Sequence, residues 1–377
     1  MLRRLVDHSI RCNGYGSCRC GVQSGSARAC SSSFPAPSET QPVHPTVYMS
    51  GIQPTGIPHI GNYFGAIRPW LGLQEEHSSH AKFFLGIVDM HAVTMGPRPA
   101  DELRQRVFEM AASLIAAGVD PKKTTLFRQS TIPEIAQLSW ILCTLQSVPK
   151  LQRLPQFKEK AGKFARSGVP LGLLSYPVLQ AADVLAFRAT HVPVGKDQSQ
   201  HLNLLTDLAL IFNTAYHCHL FPIPKAVFAD HARIKSLKAP HQKMSKSESS
   251  ERGRIGIVDS SQDIMDKCRR AQSDAIPELT YEPGRRTAVA NLIDLLAAVR
   301  NSSPEKVFEE TRDLNIVQLK ETLAVETEEM LRPIRDKYTE ILKDREAVYR
   351  ILREGEEESR STVADTMKEV MTLVGFR

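Results

Sequence analysis

The stretch Val47-Tyr48-Met49-Ser50-Gly51-Ile52-Gln53-Pro54-Thr55-Gly56-Ile57-Pro58-His59-Ile60-Gly61-Asn62 decides the fold. Val47 to Met49 reads as a short strand, and Gly51 to Gly56, with Pro54 inside, forces a tight turn. From His59 to Leu73 the pattern is helical, entered through His59-Ile60-Gly61-Asn62. The first amides of a helix have no internal partner, and the helix dipole adds partial positive charge, so such a turn is a ready anion site. Gly61 leaves room for a ligand to approach, while His59 and Asn62 add donors without requiring a net charge. Taken alone, the same turn also fits a packing device.

Working outward, Ala81 to Val88 is an apolar run bounded by Asp89, as in a buried strand. Near-continuous apolar strands suit parallel sheets covered on both faces. Asp101 is expected to cap a helix whose Leu103, Val107, Met110, Leu114 and Ala117 recur at helical spacing before Gly118. Thr124 to Phe127 is a third strand, and Ile132 to Leu145 a helix with Pro133 near its start. This alternation predicts an α/β fold, a Rossmann-like parallel sheet with right-handed crossovers. Residues 149–170 are basic, Gln-rich and broken by Pro155, Gly162 and Gly168, and are expected to form a mobile insertion of loop and short helix. A second α/β unit follows, with an apolar run at Leu174–Ala186, a strand at Thr190–Val194, a helix at Asp197–Tyr216 and a last strand at Val227–Asp230. Beyond Gln262 the pattern is α-helical, over 288–299, 316–324, 328–342, 345–353 and 363–373. The polar stretch Ser249–Gly256 reads as a linker. The expected organisation is therefore a leader over 1–45, a Rossmann-like catalytic domain over 46–248 and an α-helical C-terminal domain over 249–377.

Composition sets the outer bounds. The chain has 377 residues, 42% hydrophobic and 24% charged, ordinary for a globular protein of about two domains. No run approaches the roughly 18 apolar residues of a membrane helix. The net charge of +6 is unevenly spread: Arg3, Arg4, Arg11, Arg19 and Arg28 against Asp7 and Glu39 give residues 1–45 a balance of +3, leaving +3 elsewhere. That remainder does not by itself imply nucleic-acid binding. The first segment has arginine but no lysine, and Leu2, Leu5, Val6 and Ile10 share one helical face. It reads as an amphipathic mitochondrial transit peptide. Cys12, Cys18, Cys20 and Cys30 lie there without a C-x-x-C pair or a His pair, so no zinc site is expected. Cys143, Cys218 and Cys268 are scattered and read as reduced thiols.

A second motif stands far along the chain. Lys243-Met244-Ser245-Lys246-Ser247 carries two lysines three apart with hydroxyls between and after. Two flexible ammonium groups can follow a triphosphate and meet charge as it develops on a leaving pyrophosphate. An isolated K-x-x-K would equally fit a solvated basic loop.

PHIGN followed by KMSKS on an α/β chain resembles the class I aminoacyl-tRNA synthetases. GIQPTG, IVDMHA, VPVGKDQ and KMSKS together resemble the tryptophanyl-tRNA synthetases among them, in particular the mitochondrial ones, from about Val47 to the C-terminus. The resemblance implies ATP as substrate with Mg2+ on its phosphates, L-tryptophan and mitochondrial tRNA(Trp) as partners, and a homodimer in the mitochondrial matrix. It implies no protein metal cage. His59, Asn62, Lys243 and Lys246 would be catalytic. Gln53, Ile60, Gly61, Gly195, Lys196, Asp197, Ile234, Met244, Ser245 and Ser247 would join them around ATP. Asp183, in the motif YPxLxAAD, would accept the indole N–H, with Met49, His91, Tyr176, Gln180, Val192, Val194 and Gln198 around the amino acid. Read by itself, Asp183 also fits a capping or salt-bridged aspartate. As an unpaired buried acceptor it would reject phenylalanine strongly. Lys160 matches a lysine able to reach phosphates. Lys267, Arg269, Arg270, Arg285 and Arg286 are candidates for anticodon contact or a solvated face. Gln180 and Met49 depart from the bacterial pattern, where Met and an aromatic are common. A tyrosine-specific ligase and a non-catalytic RNA-binding paralogue remain alternative readings.

Overall fold

The computed structural model describes residues 44–164, 168–195, 199–228, 234–246, 250–276 and 278–377. Residues 1–43 of the expected leader, with its four cysteines, lie outside them, as do Lys196, Asp197, Gln198 and Ser247. Pro42–Arg377 forms one compact unit. Among the described residues no helix is long and apolar enough to cross a membrane.

Five strands, β1 (Val47–Ile52), β2 (Lys82–Ile87), β3 (Thr125–Arg128), β4 (His191–Val194) and β5 (Lys225–Phe228), form a parallel sheet in the order β3-β2-β1-β4-β5. The Rossmann-like expectation is met. Strand side chains alternate between two layers, as the period of two requires. Tyr48, Phe83, Leu85 and Ile87 face one apolar cluster; Val47, Met49 and Phe84 face the other.

After β1 come α1 (Ile60–Asn62), a π-helical turn (Tyr63–Ile67) and α2 (Arg68–His77). Next are α3 (Asp89–Ala92), α4 (Ala100–Ala117) and α5 (Pro133–Thr144). The basic insertion is built from two short helices, α6 (Val148–Gln152) and α7 (Pro155–Ala161), and a 3-10 turn. Then come α8 (Leu171–Leu185) and α9 (Ser199–Ala215). Asp101 does not cap α4. The cap position is Pro99, and Asp101 sits in the first turn, paired with Arg104 at 2.5 Å.

The C-terminal region differs from expectation in its helix lengths. After α10 (Ser261–Arg269), α11 (Thr287–Arg300) and α12 (Pro304–Thr311) come two long helices, α13 (Ile316–Ile341) and α14 (Arg345–Val374), each expected as two. The expected break is 325–327, but Thr327 and the adjoining Glu328 are buried. Glu328 accepts from Arg335 at 2.7 and 2.8 Å and from Arg332 at 3.1 Å, which carries α13 through. In α14 the apparent break is Gly355. This helix crosses the exposed edge of β3: Val348 and Leu352 join one cluster, Val363, Met367 and Val370 the other. Gly355 lies at the crossing, where a Cβ would collide with the Leu126 carbonyl. Arg128 donates to Glu356 there at 2.5 and 3.1 Å. Covering an edge strand removes a site for unwanted pairing. Gly355→Ala should therefore destabilise the protein by about 1–3 kcal/mol from overpacking. Helix propensity alone would favour alanine by about 1 kcal/mol. A thermal melt that rises would contradict this account of the crossing.

Candidate active site

The strand order reverses between β1 and β4, and in open α/β sheets ligands sit outside the carboxyl ends at such a switch point. The β1–β4 ladder is a single register pair, Tyr48 with His191. Pro193 has no N–H to extend it, and Ser50 Oγ instead donates to Pro193 O at 3.1 Å. The two strand ends thus part into a crevice. An apolar cavity of about 330 Å³ opens beside them, lined by Ile52, Val194, Gly195, Val227 and Phe228 and by Gly65 and Ala66 from the π-helical turn.

His59 is the N-cap of α1 and closes a reciprocal cap with Asn62. The Asn62 N–H donates to His59 Nδ1 at 3.3 Å, and the His59 N–H to Asn62 Oδ1 at 3.2 Å. Burial, then the charges of Lys246, Arg254 and Lys243, push the imidazole down to about 4, so it is neutral at pH 7. Because Nδ1 accepts, the neutral ring carries its proton on Nε2. The cap therefore leaves an imidazole N–H and an amide NH2 as donors and adds no charge.

The lysine motif closes onto this turn. Lys246 Nζ donates to the carbonyls of Gly56 at 2.7 Å and Thr55 at 3.2 Å. Burial first, then Arg254 and Arg106, push this ammonium down to about 8, with Glu109 opposing. Met244 is buried, and its N–H donates to Ile234 O at 3.2 Å, beside a bridge between Lys235 and Lys243. A Cβ on Gly61 would lie 3.0 Å from the His59 ring and 3.5 Å from Met244 Cβ. A bare α-carbon at 61 is what lets the two motifs approach. Lys243 is exposed and Ser245 half-buried.

The end of the stretch read as a linker, residues 253–256, is packed instead. Ile60 N–H donates to Ile255 O at 2.9 Å, Ile257 N–H to Pro58 O at 3.0 Å, and both isoleucines are fully buried. The docking brings Arg254 beside the cap, its guanidinium paired with the exposed Glu251 at 2.8 Å.

A second constellation lies on the α8 side. Asp183, buried, is not the unpaired acceptor expected. Its Oδ2 takes His91 Nε2 at 2.9 Å and its Oδ1 takes Gln129 Nε2 at 2.6 Å. Tyr176, two helical turns before Asp183 and so on the same face, reaches His201 Nε2 at 3.3 Å and meets the His91 ring edge-on at 6.3 Å. Burial pushes its phenol up to about 12. Lys160 of α7 lies over the Tyr176 ring at 5.4 Å. Met49 and Val192 are buried beneath; Val194 and Gln180 are half-buried. Gln53 is exposed at the turn.

The family model for tRNA synthetases class I (W and Y) matches residues 41–332. The chain belongs to that family. It is 49% identical over 334 residues to the mitochondrial tryptophan–tRNA ligase of Caenorhabditis elegans, covering 88% of this chain and 92% of that one. Among solved structures, tryptophanyl-tRNA synthetase from Mycoplasma pneumoniae superposes with a TM-score of 0.78 at 29% identity, over 88% of this chain and 98% of that one. The Campylobacter jejuni tryptophanyl-tRNA synthetase complexed with ADP and tryptophan gives 0.73 at 28%, over 88% and 100%.

Two residues of the constellation around Asp183 and Tyr176 were missed in the sequence, Gln129 and His201. Gln129 follows the third apolar strand, and the carboxyl end of a parallel strand is the signal that could have found it. The basic candidates beyond the lysine motif divide. Arg286 is no solvated or RNA-facing cation. It is buried and binds Asp274 at 2.6 and 2.9 Å, Thr280 Oγ1 and the carbonyls of Glu278 and Ile276. Lys267 pairs with Asp259, both largely covered. Arg269, Arg270 and Arg285 are exposed.

Proposed function

We infer that the chain is a tryptophan–tRNA ligase: it activates L-tryptophan with ATP and passes it to tRNA(Trp), in mitochondria. The junction of Lys246 with the Gly56 and Thr55 carbonyls carries the reading, because it places an ammonium at the donor end of the His59–Asn62 cap. The family and the tryptophan-specific relatives give the amino acid.

In the first step a tryptophan carboxylate oxygen attacks the α-phosphorus of ATP. The bond to the bridging oxygen breaks, and pyrophosphate leaves with that electron pair. In the second, the terminal ribose hydroxyl of the tRNA attacks the acyl carbon and AMP leaves. Such transfer needs positioning and charge stabilisation more than covalent help. His59 Nε2–H, Asn62 and the α1 amides hold phosphate oxygens; Lys243 and Lys246 follow charge onto pyrophosphate. Gln53, Ile60, Gly61, Gly195, Lys196, Asp197, Ile234, Met244, Ser245 and Ser247 surround the nucleotide, whose base suits the apolar cavity. Asp183, with Met49, His91, Tyr176, Gln180, Val192, Val194 and Gln198, holds the amino acid. Around the motif pair the groups are imidazole and amide N–H donors and ammoniums, and one carboxylate, Glu109, stands at the turn, which is fewer oxygens than a protein cage for a hard cation needs. Mg2+ would ride on ATP oxygens.

Residues 1–45 would be the presequence for the matrix, 46–248 the catalytic domain, and 249–377 the anticodon-reading domain. A homodimer would have exposed apolar side chains to cover, Trp140, Val148 and Leu171 among them, which are 71%, 52% and 75% exposed on α5, α6 and α8. Aminoacylation of mixed mitochondrial tRNA with each proteinogenic amino acid tests the function: charging by tyrosine and not tryptophan would overturn it.

One pH dependence follows. Lys246 loses its charge above about 8, so kcat/KM for ATP should fall as pH rises through that value. In Lys246→Arg the cation persists, and the fall should move out of the range of a pyrophosphate-exchange profile. A fall unmoved in the variant would assign it to another group.

A further inference from the structure

Gln129 is fully buried at the carboxyl end of β3, in the 3-10 turn Gln129–Thr131. Two bonds fix its amide. Oε1 accepts the Met90 N–H at 3.1 Å, and a backbone N–H can only donate, so the oxygen must face Met90. The NH2 group is thereby turned onto Asp183 Oδ1 at 2.6 Å. His91, one residue from Met90 in α3, holds Asp183 Oδ2 at 2.9 Å. Each carboxylate oxygen thus has one donor behind it. A carboxylate has about four acceptor sites, so capacity toward a ligand remains.

We propose that Gln129 is a specificity-determining positioning residue of the amino-acid pocket, which holds Asp183 rigidly as an acceptor and so makes the pocket demand a ring N–H. The inference rests on the reading of Asp183 as the group that meets the indole nitrogen. Gln129 acts through Asp183 and does not touch substrate. The consequence is a selectivity: an analogue of tryptophan size without the ring N–H leaves an oriented, desolvated carboxylate oxygen with nothing to accept. A carboxylate free to swivel would lose part of that penalty.

The test is pyrophosphate exchange with tryptophan and with 3-benzothienylalanine, in which sulfur replaces the ring N–H. Gln129→Leu removes both bonds. Gln129→Glu keeps an oxygen for the Met90 N–H but removes the donor to Asp183. In both, the preference for tryptophan over the thienyl analogue should shrink by about tenfold. Tryptophan KM should rise about tenfold, with kcat and the KM for ATP within about threefold. Thermal melts show whether each variant is folded. A folded variant of either kind that keeps the wild-type preference overturns the proposal, as does an equal rise in both KM values. Asp183→Ala separates the two readings. If it abolishes the preference while Gln129→Leu and Gln129→Glu keep it, only the role of Gln129 fails. If it leaves the preference intact, the underlying reading of Asp183 fails and the role of Gln129 falls with it.

Discussion

Lys246→Ala should slow tryptophanyl-adenylate formation by about 100-fold or more, with little change in tryptophan affinity, as expected for loss of a preorganised transition-state donor. The ammonium is anchored by two carbonyls of the turn that leads into the His59 cap. Those acceptors are neutral, so the charge is held in place without being cancelled. Burial and Arg254 disfavour that charge, which is why it titrates near 8. An incoming polyphosphate relieves the same penalty, so the group gains most where negative charge is greatest, on the departing pyrophosphate. Lys243 is exposed and screened by water, so Lys243→Ala should cost less. If Lys246 were only a staple between two loops, its removal would lower the melting temperature and spare the rate. An unchanged exchange rate in the folded variant would end the catalytic assignment.

The parts of this site that could be read from the sequence are those built by neighbours in the chain. His59 and Asn62 are three residues apart and cap each other, so turn and helix chemistry announces them. What could not be read depends on contacts across the fold. Lys267 and Arg286 look like members of one basic cluster until Asp259 and Asp274 are placed beside them. Ser249–Gly256 looks like a linker because the partners of Ile255 and Ile257 are Ile60 and Pro58, nearly two hundred residues earlier. Gly355 reads as a helix break because a local rule prices glycine against alanine. The nearby β3 backbone reverses that price. Asp183 is intermediate. Its place in an apolar helix marks it as unusual, but its donors His91 and Gln129 come from other elements, 92 and 54 residues away.

Asp183 also carries the second large effect. Asp183→Ala should raise the KM for tryptophan by about 100-fold while the KM for ATP changes by no more than about threefold. Removing the carboxylate leaves the indole N–H desolvated in the bound state with no acceptor, while the loss of the His91 and Gln129 bonds is felt by the free protein as well and shows in the melting temperature. Stranding the indole N–H costs about 1–3 kcal/mol, and about 2.7 kcal/mol gives a factor of 100. Water admitted by the smaller side chain would recover part of this, so a loss far above that factor is not expected. Asp183→Asn has the same shape but half the acceptor capacity, and it turns an NH2 toward one of the two donors. It should fall between alanine and wild type if the carboxylate works as an acceptor, and match wild type if only shape matters. The ATP measurement decides the location. Asp183 lies on α8 between Ala182 and Val184, which belong to one apolar cluster, while Ile60 of the His59 cap belongs to the other, so a defect there should reach tryptophan first. Equal losses for tryptophan and ATP, measured at saturating concentrations of the other substrate, would remove Asp183 from the ring pocket and make it a structural bond between α3, β3 and α8.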